Sequence, residues 1–88
     1  MLVKLSIPSA RSLKDKRRVI KSLVTRLQNR HHVSVAEVGE NDRWQACELG
    51  VAVVSNRTDH AHQCLDAVIR MIEREHEMFI VEYQTEVN

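Results

Sequence analysis

A group of basic residues between positions 11 and 21 carries the most suggestive chemistry in this chain of 88 residues. At about 100° per residue, Lys14, Arg18 and Lys21 fall on the side of a helix opposite its apolar residues. Arg17 lies beside them and Arg11 in the preceding loop; we call these five residues the basic ridge. Such a row can follow a phosphate backbone, because each neutralised phosphate releases counterions. The alternative is an ordinary solvated helix face, as most charge runs are.

The distribution of charge along the chain favours a polyanionic partner. The net charge is only +1, yet residues 1–44 carry ten Lys or Arg against four Asp or Glu, and residues 45–88 carry three against eight. This asymmetry is typical of proteins with one side facing a polyanion, although the two halves can also fold together and pair their charges. Lys16 differs from the ridge because it falls within the apolar stripe. We expect its stem to cover the edge of the core while its ammonium reaches solvent.

Two other groups of residues are candidate sites with weaker support. His60 and Cys64 lie four residues apart on one side of a helix, as two metal ligands should, but His62 points elsewhere. A closed zinc site needs four ligands, so we predict no metal and no cofactor. Trp44 is either an anchor for a partner or a residue packed locally at a corner of a sheet, and we favour local packing.

Periodicity predicts four strands and two helices. The expected ranges are, in chain order, a strand at 2–7, a helix at 12–30, strands at 33–39 and 45–56, a helix starting near 57 and a strand at 78–87. Ser12 is the expected cap of the first helix, and Asn56 or Thr58 that of the second. In the last strand, Phe79 and Tyr83 are expected to share a side with Val81.

The order β-α-β-β-α-β predicts a single α+β domain over residues 1–88. Each βαβ half needs a right-handed crossover, and two such halves give a ferredoxin-like split βαβ sandwich. Its antiparallel sheet has the strand order 4-1-3-2, and both helices lie on one face. The register of strand two stays open, since either the side of Val33 and Val35 or that of Ser34, Ala36 and Val38 can face the core.

The other face of this sheet has no helix to cover it. The residues expected on its two central strands are small or charged, and the candidates for an interface are Lys4, Ala46, Glu48, Gly50 and Ala52. No aromatic residue is among them, so base stacking on the sheet is disfavoured. A second copy packing sheet to sheet, with Lys4 and Glu48 pairing, is one expectation for this face; a solvated face is the other.

The stretches IPSARSLKDKRRVIKSL, VSVAEVG, DRWQ and LGVAVVSN resemble the YlxP-like family of small bacterial proteins, which is grouped under a domain of unknown function. The resemblance runs from about Val3 to Val54 and implies a ferredoxin-like fold but no assigned activity. In some bacteria the family's gene lies among genes for translation initiation and ribosome maturation. Relatives tend to have an aromatic residue and an asparagine where this chain has His31 and His32.

Catalysis is not indicated by any motif in the chain. Acylphosphatases share the predicted topology but cradle phosphate in a Gly-rich loop with an Arg, whereas the loop here is PSARS, with Arg11 and no Gly. We therefore expect a non-catalytic, cytoplasmic protein that binds RNA, specifically ribosomal RNA or ribosomal particles, through the basic ridge. The alternatives are a homodimeric structural or regulatory module acting through the open face, and an acylphosphatase-like hydrolase.

Overall fold

The computed structural model describes residues 1–87, so Asn88, the last residue of the predicted domain, lies outside it. The elements, in chain order, are β1 (Leu2–Ser6), α1 (Leu13–His31), β2 (Ser34–Gly39), β3 (Ala46–Ala52), α2 (Thr58–Glu73) and β4 (Phe79–Gln84). The sheet is antiparallel with the order β2-β3-β1-β4, which is the predicted 4-1-3-2 order viewed from the other edge. The predicted α+β ferredoxin-like fold is confirmed. The third and fourth strands are shorter than predicted.

Both helices pack on the same face of the sheet, where they form one continuous core. Alternate residues of β1 and β3 point into it, and their partners come from the apolar stripes of the two helices. Burial of Val33 and Val35 decides the register of strand two, because these residues face the core while Ser34 and Ala36 are exposed. Among residues 1–87, no helix or strand covers the opposite face of the sheet.

The ends of the helices are fixed by different means. Ser12 caps α1 as predicted, and its Oγ accepts a hydrogen bond of 3.0 Å from the N–H of Asp15. At the other end His32 adopts the left-handed conformation, with φ 49° and ψ 44°. The cap of α2 is Arg57, so the prediction of Asn56 or Thr58 is wrong. Arg57 makes no side-chain capping bond and instead pairs with the Asp59 carboxylate, which lowers the pKa of Asp59.

A β-bulge in β4 overturns the predicted alternation of that strand. Ser6 pairs with Phe79 and Lys4 with Glu82, so the register shifts at Val81 between them. Because residues opposite each other share a face, Phe79 and Glu82 both lie on the open face. Phe79 and Tyr83 therefore lie on opposite sides of the sheet, and the prediction that they share one is wrong.

Candidate nucleic-acid interface

The basic ridge lies on the outer side of α1, because the opposite side of that helix is locked into the core. Val19, Ile20 and Leu23 are buried there, and all five ridge residues are exposed. Arg18 approaches the Glu77 carboxylate at 3.8 Å, with both side chains more than half exposed. Within residues 1–87, the other four ridge cations have no carboxylate within 4.0 Å.

The two halves of the chain pair only part of their charge. In the described part of the chain three ion pairs join them, namely Lys4–Glu82, Arg18–Glu77 and Arg26–Glu75. The Arg26–Glu75 pair ties α1 to the loop before β4, and the Arg18 pair is long and exposed. Most of the positive charge at the start of α1 therefore faces solvent.

In the loop before α1, backbone N–H groups that could bind an anion are already hydrogen-bonded within the protein. The N–H of Ala10 donates to Ile7 O at 3.1 Å, and the N–H of Arg11 donates to Asp15 Oδ2 at 3.1 Å. The N–H of Asp15 is bound by the Ser12 cap. These three N–H groups are therefore not free to bind an anion, and any contact with phosphate at this entrance falls to the side chains.

Lys16 is buried, which overturns the expectation that its ammonium reaches solvent. Its side chain is 1% exposed, and Nζ lies 3.0 Å from Glu37 Oε2. Nζ also donates to the carbonyl oxygens of Glu40 at 2.8 Å, Asn41 at 3.3 Å and Ala46 at 3.2 Å. The period of two in β2 explains the ion pair: Val35 faces the core, so Glu37 also points beneath the helix, opposite Leu49.

The loop between β2 and β3 is held against the start of α1 by these bonds. Glu40 has a positive φ of 62°, and its carbonyl oxygen accepts bonds from Lys16 Nζ and from the N–H of Arg43 at 3.1 Å. Gln45 Nε2 donates to the carbonyl oxygens of Pro8 at 3.1 Å and Ala10 at 3.3 Å. The loop is therefore joined both to the first turn of α1 and to the segment that precedes it.

Trp44 lies in this loop, and the expectation that its side chain packs locally stays a prediction. Its side chain is 53% exposed, although its neighbour Gln45 is bonded to the loop before α1. The backbone next to Trp44 is thus held beside the loop that precedes α1.

The open face carries the predicted residues and three large apolar side chains besides. Ala46, Glu48, Gly50 and Ala52 follow one another along β3, with Lys4 opposite Glu48 on β1. The exposed apolar side chains are Leu2, Val38 and Phe79; Leu2 and Phe79 pair across β1–β4 with Gln84 and Ser6, and Val38 lies over Gly50. Lys4 bonds to Glu82 at 3.2 Å rather than to Glu48 as expected. The Glu82 carboxylate, with a smaller contribution from Glu48, raises the pKa of Lys4.

Two comparisons with known proteins show to which family the chain belongs. A family described as "Protein of unknown function (DUF503)" matches residues 1–85. The chain belongs to this family. It is also 40% identical over 67 residues to "Uncharacterized protein YlxP" of Bacillus subtilis (strain 168), in an alignment that covers 76% of this chain and 73% of that relative. The resemblance to the YlxP-like family is confirmed, and neither description names an activity.

The histidines and cysteines of this DUF503 protein form only a partial cluster. Cys64 Sγ lies 3.7 Å from His60 Nε2, and His60 Nδ1 lies 3.0 Å from Ser55 Oγ. No group of three or more His, Cys, Asp or Glu suited to a metal occurs in the described part of the chain. Cys47 is buried, and this burial together with the Glu37 carboxylate raises its pKa to about 12.

The helices of this DUF503 protein are not suited to a membrane crossing. Over the residues that the structure covers, neither the length nor the apolar character needed for a span is reached by any helix.

The sequence analysis did not predict the buried Lys16–Glu37 pair or the exposure of Phe79 and Trp44, and the reasons differ. The sequence did contain a signal for the Lys16–Glu37 pair. Lys16 falls in the apolar stripe of α1, and Glu37 lies two residues after Val35, on the same side of the strand. For Phe79 no local signal existed, since a bulge defined by pairing with another strand decides its face. The exposure of Trp44 depends on how a loop meets a helix distant in sequence.

Proposed function

We propose that this DUF503 protein is a non-catalytic RNA-binding protein of the cytoplasm that contacts structured RNA, with ribosomal RNA or ribosomal particles as its target, through the basic ridge. The observation that carries the proposal is the exposure of Arg11 in the loop before α1 and of Lys14, Arg17 and Lys21 on one side of that helix, with no carboxylate of residues 1–87 within 4.0 Å of their charged groups. Unpaired cations on a helix fixed to a sheet can meet a phosphate backbone without first breaking ion pairs.

The acidic groups near the ridge are already engaged. The Asp15 carboxylate accepts the N–H of Arg11, and the Glu77 carboxylate lies against Arg18. Contacts of Lys and Arg with phosphate carry little sequence information, so recognition rests on the shape and charge of the RNA. We expect modest affinity and weak sequence preference.

The test is the salt dependence of binding to a fluorescently labelled ribosomal RNA hairpin and to purified ribosomal subunits. If about four phosphates are neutralised, log K falls with log salt with a slope near −3. The variant K14A/R18A/K21A is expected to reduce that slope to about −1, because three of the contacts are removed. Sedimentation with subunits provides the second measurement.

The control variant K4A/R30A/R57A removes three exposed cations from outside the ridge. It changes the net charge by the same amount, so its slope is expected to stay near the parental value. Equal losses of salt dependence in the two variants would mean that RNA binding depends only on the net charge of the protein. A folded K14A/R18A/K21A protein that binds subunits as well as the parent would exclude the proposal.

A second candidate function is self-association through the open face. Leu2, Val38 and Phe79 leave apolar surface exposed there, and Lys4 stands between Glu48 and Glu82 on the neighbouring strands. A second copy related by a two-fold axis can cover this apolar surface and set each lysine against the partner's carboxylates. We propose a homodimer through this face, compatible with RNA binding because the ridge lies on the other side of the sheet.

Sedimentation equilibrium over a range of concentrations tests this second candidate. Ala36→Arg places a charge beside Gly50 on the open face, whereas Val54→Arg places one on a fully exposed loop residue away from it. The dimer is expected to persist in the loop variant and to dissociate in the Ala36 variant. A strict monomer at high concentration for the parent protein would exclude it.

A further inference from the structure

We propose that the open face binds its second copy about a two-fold axis that runs parallel to the strands between β1 and β3, so that Lys4 of each chain meets Glu48 of the other. This arrangement rests on the proposed self-association through the open face and specifies which residues of the two chains come into contact. The pairing of β1 with β3, together with the charge and size of the residues on their open side, supports it.

The two central strands carry complementary residues in the same rows of the open face. The three rows are Leu2 opposite Gly50, Lys4 opposite Glu48 and Ser6 opposite Ala46. The first row sets a large side chain beside none, the second a cation beside an anion, and the third two small residues. Rotation by 180° about an axis between these strands places β1 of one copy over β3 of the other, so each row meets its own complement.

Glu48 is a carboxylate of the open face that still lacks a cation. On the other side of β1, the Lys4 ammonium lies 3.2 Å from Glu82 Oε1. No basic nitrogen of residues 1–87 lies within 4.0 Å of the Glu48 carboxylate. In the proposed dimer each Lys4 ammonium lies between its own Glu82 and the Glu48 of the other chain, and opposite charges that face each other across an interface fix how the chains align.

Other two-fold axes through this row bring like charges together. An axis perpendicular to the strands, running along the row, sets Lys4 against Lys4 and Glu48 against Glu48 of the other chain. An axis that follows β1 itself also sets Lys4 against Lys4. Because like charges facing each other across an interface are unfavourable, the axis that exchanges β1 and β3 is preferred.

The apolar contact lies at the Leu2 end of the open face. A hollow of about 390 Å³ is present there, and its lining includes Ala36, Val38, Gly50 and Ala52. Gly50 contributes no side chain, and Val38 Cγ1 lies 3.1 Å from the position that a Cβ would occupy. In the proposed dimer the exposed Leu2 side chain lies above Gly50 of the other chain, where it enters this hollow and covers Val38. Side chains of two sheets that pack face to face interdigitate in this way.

Charge reversal at two positions tests the axis, because a mixture of variants repairs only the contacts between chains. Lys4→Glu alone and Glu48→Lys alone each set like charges against each other twice in a dimer. Each is expected to raise the Kd of the dimer by roughly 100-fold. In an equimolar mixture of the two variants both contacts between chains are again of opposite charge, while each chain keeps like charges within itself. The mixed dimer is expected to form with a Kd within about 10-fold of the parental value, as measured by sedimentation equilibrium.

A matched control makes the same charge changes outside the open face. Arg30→Glu and Glu73→Lys lie at exposed positions of the two helices. They are expected to leave the Kd of the dimer unchanged, alone or mixed.

A second measurement uses the parent protein and does not depend on the folding of any variant. A carbodiimide joins an ammonium group to a carboxylate that it contacts. In a mixture of isotope-labelled and unlabelled protein, mass spectrometry is expected to find Lys4 joined to Glu48 in a product with one labelled and one unlabelled peptide.

The possible results separate the axis from self-association itself. A parent dimer whose single variants dimerise equally well, with no cross-link between Lys4 and Glu48 of different chains, overturns the axis and leaves self-association standing. Loss of the dimer in both single variants without recovery in their mixture also overturns the axis, because the damage then lies within each chain. A strictly monomeric parent protein overturns both the axis and the second candidate function.

Discussion

At the scale of single residues, the ammonium group of Lys16 holds two distant parts of the chain together. It is surrounded by the Glu37 carboxylate and three carbonyl oxygens, and all four belong to residues 37–46. Removing the charge leaves the Glu37 carboxylate beneath the helix without its partner, and a broken buried pair is costly. This lysine therefore contributes to stability and to the rigidity of the loop, and does not belong to the ridge.

We expect Lys16→Met to lower the free energy of unfolding by roughly 3 kcal/mol. The value lies at the low end of the range for broken buried pairs because the Glu37 side chain keeps 21% of its surface in water. Urea denaturation followed by circular dichroism measures it. Lys14→Met, the same change on the exposed ridge two residues earlier, is expected to stay within about 0.5 kcal/mol of the parent. Similar losses for both variants would contradict the structure.

The two cysteines are expected to differ strongly in reactivity. Burial and the Glu37 carboxylate raise the pKa of Cys47 to about 12, whereas Cys64 is partly exposed. The buried Cys47 thiol stays protonated at pH 8, so a thiol reagent should label Cys64 quickly and Cys47 only after unfolding. Mass spectrometry after brief labelling measures this, with Cys64→Ala as the control.

The raised pKa of Cys47 also predicts that the free energy of unfolding falls at alkaline pH. The folded state favours the protonated Cys47 thiol. The contribution of this thiol to the free energy of unfolding is therefore complete below its ordinary pKa of 9.0 and is lost as the pH rises towards about 12. Rapid labelling of Cys47 in the native protein at pH 8 would contradict this environment.

At the scale of elements, the C-terminal end of α1 is strained by a residue in the left-handed conformation. His32 has φ 49°, a region that costs most L-residues about 1–2 kcal/mol and that glycine adopts freely. Asparagine also tolerates it, which gives a physical reason for the asparagine expected at this corner in relatives. Histidine fits here as a helix cap, which requires no ligand.

We expect His32→Gly to raise the free energy of unfolding by about 0.5–1 kcal/mol, because the backbone strain is removed. Arg30→Gly, two residues earlier and exposed within the helix, is expected to lower it by about 1 kcal/mol. Thermal unfolding of both variants gives the comparison. Changes of the same sign would show that the conformation of His32 is not under strain.

At the scale of the whole molecule, the sheet separates two surfaces with different chemistry. The helix layer shows the cations of α1 to solvent, while the open face shows small residues, the Lys4–Glu82 pair and exposed apolar side chains. We expect the two surfaces to act independently. Ala36→Arg should then abolish self-association and leave the salt slope of RNA binding unchanged, and K14A/R18A/K21A should do the reverse.

Anisotropy and sedimentation on the same two preparations check that expectation. Val54→Arg serves as the control for both measurements, because it adds an equal charge on an exposed loop. If Ala36→Arg reduced RNA affinity as much as the ridge variant does, the two surfaces would be coupled, and RNA binding would depend on the dimer.

The sequence by itself determined the order of the elements, the inward side of α1 and the small residues of the open face. Each of these follows from a period of 2 or 3.6 residues and from a local cap such as Ser12, which are properties of neighbouring residues. The outward direction of the ridge follows from the same period of 3.6 residues.

Only the tertiary structure decided the burial of Lys16, the face of Phe79 and the exposure of Trp44. The partners of Lys16 lie 24 to 30 residues away for its three carbonyl bonds, and the bulge that turns Phe79 outward exists only in the pairing of β4 with β1. Bonds to Pro8, Ala10 and Lys16 hold the loop that carries Trp44, and no local pattern encodes contacts between segments so far apart in the chain.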